Sequence, residues 1–384
     1  MGIKQLFKFV SENAPKSVTS TSMDSYTGRT LAIDASTCLY QFLIAVRTGQ
    51  ESQYQNLTNA AGEVTSHITG FLSRTLRLLE AGVKPVYVFD GKPPDLKKGE
   101  LEERRAKKEE AEEQMTKALE SGDQDALLKA TKRSVRADKK MHSDCIRLLR
   151  LLGCCVVEAP SEAEASCAAI VKANLAYAAV TEDMDCLTFG TPRMVKNLFS
   201  TVQTKETKAV SEIDLRLVLD QLNISMDQFV DFCILCGCDY CGTIKGVGPS
   251  NAFKLVVECG NLEAVLNKVD QDKVPSEFPY EVVRGLFKDP EVVDCSNLKL
   301  EWPEPDYDGL RKYLVDENQF NPDRVEKSLD RLRATRKQKT QMRLDAFFGA
   351  AKKEVKENEK FNPFAQKRAT PASNAASAKK KAKK

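Results

Sequence analysis

The 384-residue sequence predicts an α/β fold, with a mostly parallel central sheet flanked by helices. Three observations predict it. Short apolar runs of strand length (TLAID at 30–34, KPVYVF at 84–89, CCVVEAP at 154–160, AYAAV at 176–180) alternate with helical stretches. AYAAV carries no polar face, as expected of a strand covered on both sides. Acids follow three of these runs, at Asp34, Asp90 and the Asp183/Asp185 pair, on the carboxyl edge where open α/β sheets hold their ligands.

Taken in order, MGIKQLFKF lacks signal-peptide architecture, and Leu6 stands where a myristoylation signal needs Ser or Thr. TLAID leads into an amphipathic helix through residue 46, with Asp34 at the junction and Tyr40 on the helix, where core packing is the default role. Residues 50–62 read as a polar loop, followed by a helix that Gly82 closes. Arg47 and Arg74 read as solvated helix charges unless a phosphate lies nearby. KPVYVF delivers Asp90 and stops at Gly91 and two prolines. Residues 95–140 form a charged segment of helical spacing with little to bury. Read blandly it is a solvated helix; read functionally it holds phosphates through Lys97, Lys98, Arg104 and Arg105.

The stretch from 159 to 190 concentrates five carboxylates, Glu162, Glu164, Glu182, Asp183 and Asp185, against one cation, Lys172. Ser161 and Glu164 have the spacing of a capping box, which puts Glu162 and Glu164 in the first turn of a small apolar helix. Like charges so crowded raise one another's pKa unless cations neutralise them. An all-oxygen donor set favours a hard ion, Mg²⁺ or Mn²⁺. Helices over 214–222 and 226–236 lead to Asp239, the last acid added to the cluster. Cys233, Cys236, Cys238 and Cys241 spell two CxxC pairs one residue apart, too close for the chain to wrap a zinc ion, so buried thiols are expected. Gly246, Gly248 and Pro249 make a tight turn before a helix starting near Ser250, and its amides suit a DNA phosphate.

The charge is asymmetric. From residue 331 onward there are 17 Lys/Arg and 4 Asp/Glu, leaving 41 against 51 of the chain's 58 and 55 for the rest. A basic tail suggests nucleic acid or a targeting receptor. Twelve cysteines without a secretory signal read as reduced thiols. No apolar run reaches the roughly eighteen residues that would span a bilayer. Within the tail, Gln341, Leu344, Phe347 and Phe348 form a box resembling the sliding-clamp-binding peptide, and the terminus KKKAKK reads as a nuclear address.

From MGIKQL through AIDAS, VFDGKPP, APSEAEASCA, TEDMDCLTFG, GCDYC and KGVGP to the clamp box, the chain resembles the flap endonucleases of the structure-specific 5′ nuclease family. The resemblance implies two Mg²⁺ ions, replaceable by Mn²⁺, held directly or through water by Asp34, Asp90, Glu162, Glu164, Asp183, Asp185 and Asp239. It implies Lys97 and Arg104 as catalytic cations at the scissile phosphate. DNA contacts are implied at Tyr40, which stacks on a base, and at Arg47, Arg74, Glu162, Gly237, Asp239, Gly246 and Gly248, with K⁺ at a helix-two-turn-helix. The implied organisation is an N-terminal nuclease region 1–108, a helical arch linker 109–125, an internal nuclease region 126–259, C-terminal helices 260–337 and a flexible tail 338–384 with the clamp box at 340–348. A monomer acting on 5′ flap, nicked and gapped DNA in nucleus, nucleolus and mitochondrion is expected, with no membrane contact. Cys236, Cys238 and a longer loop over 50–61 depart from the family pattern. A 5′ exonuclease of the same superfamily, or a clamp-bound scaffold without catalysis, are the rival readings.

Overall fold

Seven strands form one sheet in the order β1-β7-β6-β5-β2-β3-β4. They are β1 Val18–Thr21, β2 Thr30–Asp34, β3 Lys84–Phe89, β4 Cys155–Glu158, β5 Ala178–Val180, β6 Arg193–Lys196 and β7 Val210–Asp214. The computed structural model describes residues 2–47, 65–121, 123, 126–127, 129–130, 138–199 and 210–337, with the backbone alone for 44–47, 120 and 337. The five strands β6-β5-β2-β3-β4 are parallel; β7 pairs antiparallel with β6, and β1 with β7. The mostly parallel sheet is thus as expected. The sequence reading missed β1, β6 and β7, which are short and partly polar (VTST, RMVK, VSEID), so that only pairing partners mark them as strands.

Alternation along the central strands sends side chains into two separate cores. Leu31, Ile33, Tyr87 and Phe89 face a core shared with helices Ala35–Arg47, Ser66–Glu80 and Lys139–Leu151. Ala32, Val86 and Val88 face the other, with helices Ala163–Lys172, Met226–Cys236 and Pro249–Cys259. Both faces being covered explains why these strands lack a polar side. The chain runs β2, β3, β4 toward one edge and returns to place β5 on the other side of β2. That reversal creates a crevice at the carboxyl ends of β5 and β2, the place for a ligand in such sheets.

Helix Lys98–Ser121 follows a 3-10 turn, Asp95–Lys97, and most of its side chains face solvent. Ser225 and Gln228 form a capping box on Met226–Cys236, and Gly248 with Pro249 opens Pro249–Cys259. Arg284 clamps this side by pairing with buried Asp231 at 2.7 Å and with Glu263 at 2.6 Å. Among the described residues no helix is long and apolar enough to cross a membrane.

Candidate active site

Four neighbouring parallel strands end at one edge, and each carries its chain straight into acids. Asp34 is the last residue of β2, and its carboxylate accepts hydrogen bonds from the Thr37 amide (2.9 Å), the Thr37 hydroxyl and the Thr181 hydroxyl (2.8 Å). Asp90 follows β3, and its Oδ1 accepts the amide of Ala163 at 2.8 Å. Helix Ala163–Lys172 is therefore capped by an acid from another strand. Glu162 is its N-cap residue and makes no side-chain cap bond, which corrects the Ser161/Glu164 capping-box expectation. The Ser161 carbonyl instead accepts the Gly91 amide at 2.7 Å, fastening the β3 and β4 loops together. Glu162 and Glu164 end up buried in the site.

Asp183, Asp185 and Asp239 converge most closely: one oxygen from each lies within 4.8 Å of the others. Asp185 is fully buried, with Oδ1 accepting the Ile3 amide at 2.8 Å and Oδ2 having no hydrogen-bond partner. Burial, then Asp183 and Asp239, push its pKa far above the usual carboxylate range. Burial also raises Asp183, against the pull of the Asp185 amide, and raises Glu164 despite Lys97. An unpartnered buried carboxylate oxygen in an all-oxygen cluster fits a hard divalent cation. The CxxC run forms no rival site, since Asp183, Asp185 and Asp239 are the one three-ligand set among the described residues and all cysteines are free thiols. The remaining acids are otherwise engaged. Asp34 and Asp90 hold backbone and hydroxyl groups, and Glu182 accepts the Asn197 amide at 2.7 Å and pairs with Lys196 at 3.3 Å.

Two cations reach down from the charged segment. The Lys97 ammonium pairs with Glu162 and lies 3.9 Å from Glu164 and 3.6 Å from Asp239. Burial opposes its charge, but Glu164, Glu162 and Asp239 outweigh burial and hold its pKa above the ordinary lysine value. Arg104 Nη2 pairs with Asp239 at 2.6 Å while its Nε is braced by Glu100 at 2.6 Å one turn away. Lys98 and Arg105, grouped with them on sequence, point outward to Asp95 and Glu109 and are 69% and 77% exposed. One helix thus has a solvated face and a face aimed at the acids, and only position relative to the sheet separates the two.

Three contributors escaped sequence reasoning. Gly2 touches the cluster so closely that a Cβ there would lie 1.8 Å from Asp183 Oδ1 and 2.3 Å from Asp185 Oδ1, and its φ of +68° would strain any side chain, so a substitution would displace the two acids. Tyr240 donates its hydroxyl to Glu162, with its ring edge-on to Phe287 at 5.3 Å. Thr181 bridges the β5 end to Asp34. The adjacency of Tyr240 to Asp239 was the available signal for the second; for Gly2 and Thr181 there was none without the fold.

The other predicted contacts lie around this edge. Tyr40 is half-buried with the Lys108 ammonium 5.4 Å from its ring centre. Arg74 is not a solvated charge: it donates to the Cys38 carbonyl at 3.2 Å and lies against Phe42 and Phe199, because its helix is packed on both sides. Arg47 ends its helix, its side chain outside the description. Gly237 has φ +101°, and a Cβ would strike Thr243 at 2.4 Å. Gly246 and Gly248 form the predicted turn, with Asn251 donating to the Gly246 carbonyl at 3.2 Å and the helix starting one residue earlier than expected. Gln341, Leu344, Phe347 and Phe348, like the 50–61 loop, lie outside the described residues.

The acid burial makes a stability prediction. Burial, then repulsion from Asp90, push Asp34 up to about 7. Because the folded pKa exceeds the unfolded one, the cost is absent at low pH, grows between 3.8 and about 7, and is full above that. In EDTA at pH 8, Asp34→Asn should therefore raise the melting temperature by on the order of 5 °C, the Thr37 and Thr181 hydroxyls turning to accept from the new amide. The gain should shrink toward pH 5. A variant less stable than wild type at pH 8 would contradict this assignment of the strain.

Comparison with known proteins agrees with the geometry. The XPG N-terminal domain family matches residues 1–111 and the XPG I-region family residues 153–239. Flap endonuclease 1-A of Sorghum bicolor is 50% identical over 91% of this chain and 90% of its own length. The solved flap endonuclease-1 of Methanococcus jannaschii is 38% identical, covering 83% of this chain and 96% of that one, with a TM-score of 0.64. The catalytic core of Rad2 in complex with DNA substrate is 26% identical, covering 85% and 99%, with a TM-score of 0.63. An acid-lined sheet edge beneath a cationic helix, continuous with relatives of this identity along nine-tenths of the chain, places the protein in the flap endonuclease 1 family.

Proposed function

We propose that this chain, a nuclease of the flap endonuclease family, cleaves phosphodiesters near the base of 5′ flaps in a Mg²⁺-dependent reaction, with 5′–3′ exonuclease activity on nicked duplex. The observation that carries the proposal is the convergence of Asp183, Asp185 and Asp239, one Asp185 oxygen of which has no hydrogen-bond partner, with Lys97 and Arg104 against Asp239. Asp183, Asp185, Asp239, Glu162 and Glu164 would hold the ions, with Asp34 and Asp90 behind them. When bound, two such ions lower the pKa of the attacking water and stabilise the leaving 3′ oxygen. The chain's own residues do the rest. Lys97 and Arg104, drawn into the acids here, are placed to turn to the scissile phosphate and neutralise charge as it develops. Tyr240 orients Glu162, and the Asp34–Thr37–Thr181 bonds keep the β2 and β5 ends in register. No side-chain nucleophile is required.

An acid-rich edge repels DNA, so backbone contacts must compensate. The turn at Gly246 and Gly248, with K⁺, is suited to the downstream duplex, and Tyr40, Arg47 and Arg74 to the junction. Replication and repair in the nucleus are the expected setting, with the chain a monomer. Cleavage of a 5′-labelled flap, compared with nicked and blunt duplex in Mg²⁺ or EDTA, tests the reading. Products at the flap base only with Mg²⁺ are expected. Equal cleavage of blunt duplex would favour a general exonuclease, and binding without cleavage a scaffold.

The tail box adds a partner, the sliding clamp. Spaced as they are, Leu344, Phe347 and Phe348 would share one side of a short helical turn on the clamp, with Gln341 anchoring its upstream end. A short motif that orders on binding reaches roughly micromolar affinity. Phe347→Ala with Phe348→Ala should abolish clamp capture and clamp-stimulated cleavage and leave clamp-free cleavage intact. Loss of basal cleavage in that double variant would show that the tail has been misread.

A further inference from the structure

We propose that Cys238 and Cys241 form a reversible disulfide that switches the catalytic centre off. Their sulfurs lie 3.6 Å apart, and their backbones already pair across an isolated antiparallel bridge. The bond can therefore close by a local adjustment of this short segment, without bringing distant elements together. Both thiols are half-buried, whereas Cys233 and Cys236 of the same run are sealed in the core, so an oxidant reaches one pair and not the other.

The two residues enclosed by the pair give the bond its consequence. Asp239 supplies an oxygen to the carboxylate trio and the anchor for Arg104; Tyr240 holds Glu162. On the upstream side Gly237 is pinned, its carbonyl accepting the Lys4 amide at 3.2 Å. With that side fixed, drawing the sulfurs from 3.6 Å into covalent contact must re-twist the Asp239–Tyr240 turn. Both site contacts leave from that turn, and an ångström of displacement in a catalytic group costs about a hundredfold in rate.

The oxidant is a hydroperoxide. The thiolate of one cysteine attacks the distal peroxide oxygen and breaks the O–O bond, leaving a sulfenic acid and releasing an alcohol or water. The second sulfur then attacks the first and expels hydroxide, which leaves as water with the second thiol's proton. Each cysteine loses one electron and the peroxide gains two. A dithiol reverses the reaction by exchange.

The inference rests on the nuclease reading, and the test separates the two. The full-length protein is treated with hydrogen peroxide, digested without reduction and mapped by mass, and in parallel its single-turnover flap cleavage in Mg²⁺ is measured before and after dithiothreitol. The expected result is a peptide carrying an internal 238–241 bond, with cleavage slowed by about tenfold or more and restored by the dithiol. Cys238→Ser and Cys241→Ser should each cleave as fast after peroxide as before. Absence of the 238–241 bond, its presence with undiminished cleavage, or equal inhibition of both variants would each overturn the switch. If the reduced wild type cleaves no flap at all, the nuclease reading fails instead, and the mass map still reports whether the bond forms.

Discussion

Asp183→Ala is expected to bind flap DNA and cut it about a thousandfold more slowly, or worse, than wild type. The aspartate contributes one of the three converging oxygens, and losing a ligand from a two-ion centre removes on the order of 4 kcal/mol of transition-state stabilisation. Folding suffers much less. The variant orphans the Asp185 amide, now bonded to Asp183 Oδ1 at 3.1 Å, at a cost of about 1–3 kcal/mol. Removing a raised, buried acid beside Asp185 offsets part of that cost. The Gly246 turn is on a separate part of the chain, so affinity should persist. Gel-shift affinity and single-turnover rate, measured on one preparation in Mg²⁺, decide it. Near-normal cleavage would remove Asp183 from the metal centre; lost affinity would mean that it holds DNA.

Lys97→Ala should slow the bound-state reaction by about a hundredfold and change flap affinity by no more than a few fold. Its side chain is 13% exposed, with the ammonium among Glu162, Glu164 and Asp239, which is poor placement for a general backbone contact and good placement for a phosphate entering the acids. A group acting on developing charge affects rate, whereas one that merely neutralises phosphate affects affinity and its dependence on salt. Single-turnover rates alongside dissociation constants at several salt concentrations distinguish them. A reduced salt slope with an unchanged rate would return Lys97 to the status of an ordinary DNA contact. Lys98→Ala, whose side chain faces solvent and Asp95, serves as the control and should be close to wild type in rate.

The sequence alone determined the alternation of strands and helices, the positions of the acids just after β2, β3 and β5, the GVGP turn and the basic tail. These are local properties: a strand buried on both faces must be apolar along its length, and a residue that follows it must sit at its end. The capping of Ala163–Lys172 was read wrongly because a local spacing, Ser161 to Glu164, competed with a long-range partner, Asp90, that only the pairing of β3 with β4 brings near. The short edge strands were missed for a related reason, since VTST and RMVK become strands through their neighbours. Tertiary structure alone decided which charges of the 95–121 segment reach the acids. Lys97 and Lys98 are adjacent and chemically alike, yet one is buried among three carboxylates and the other pairs with Asp95 in water. It also decided that Gly2, 237 residues before Asp239, closes the same site, because residues meet there by the order in which the strands are laid down and not by their distance in sequence.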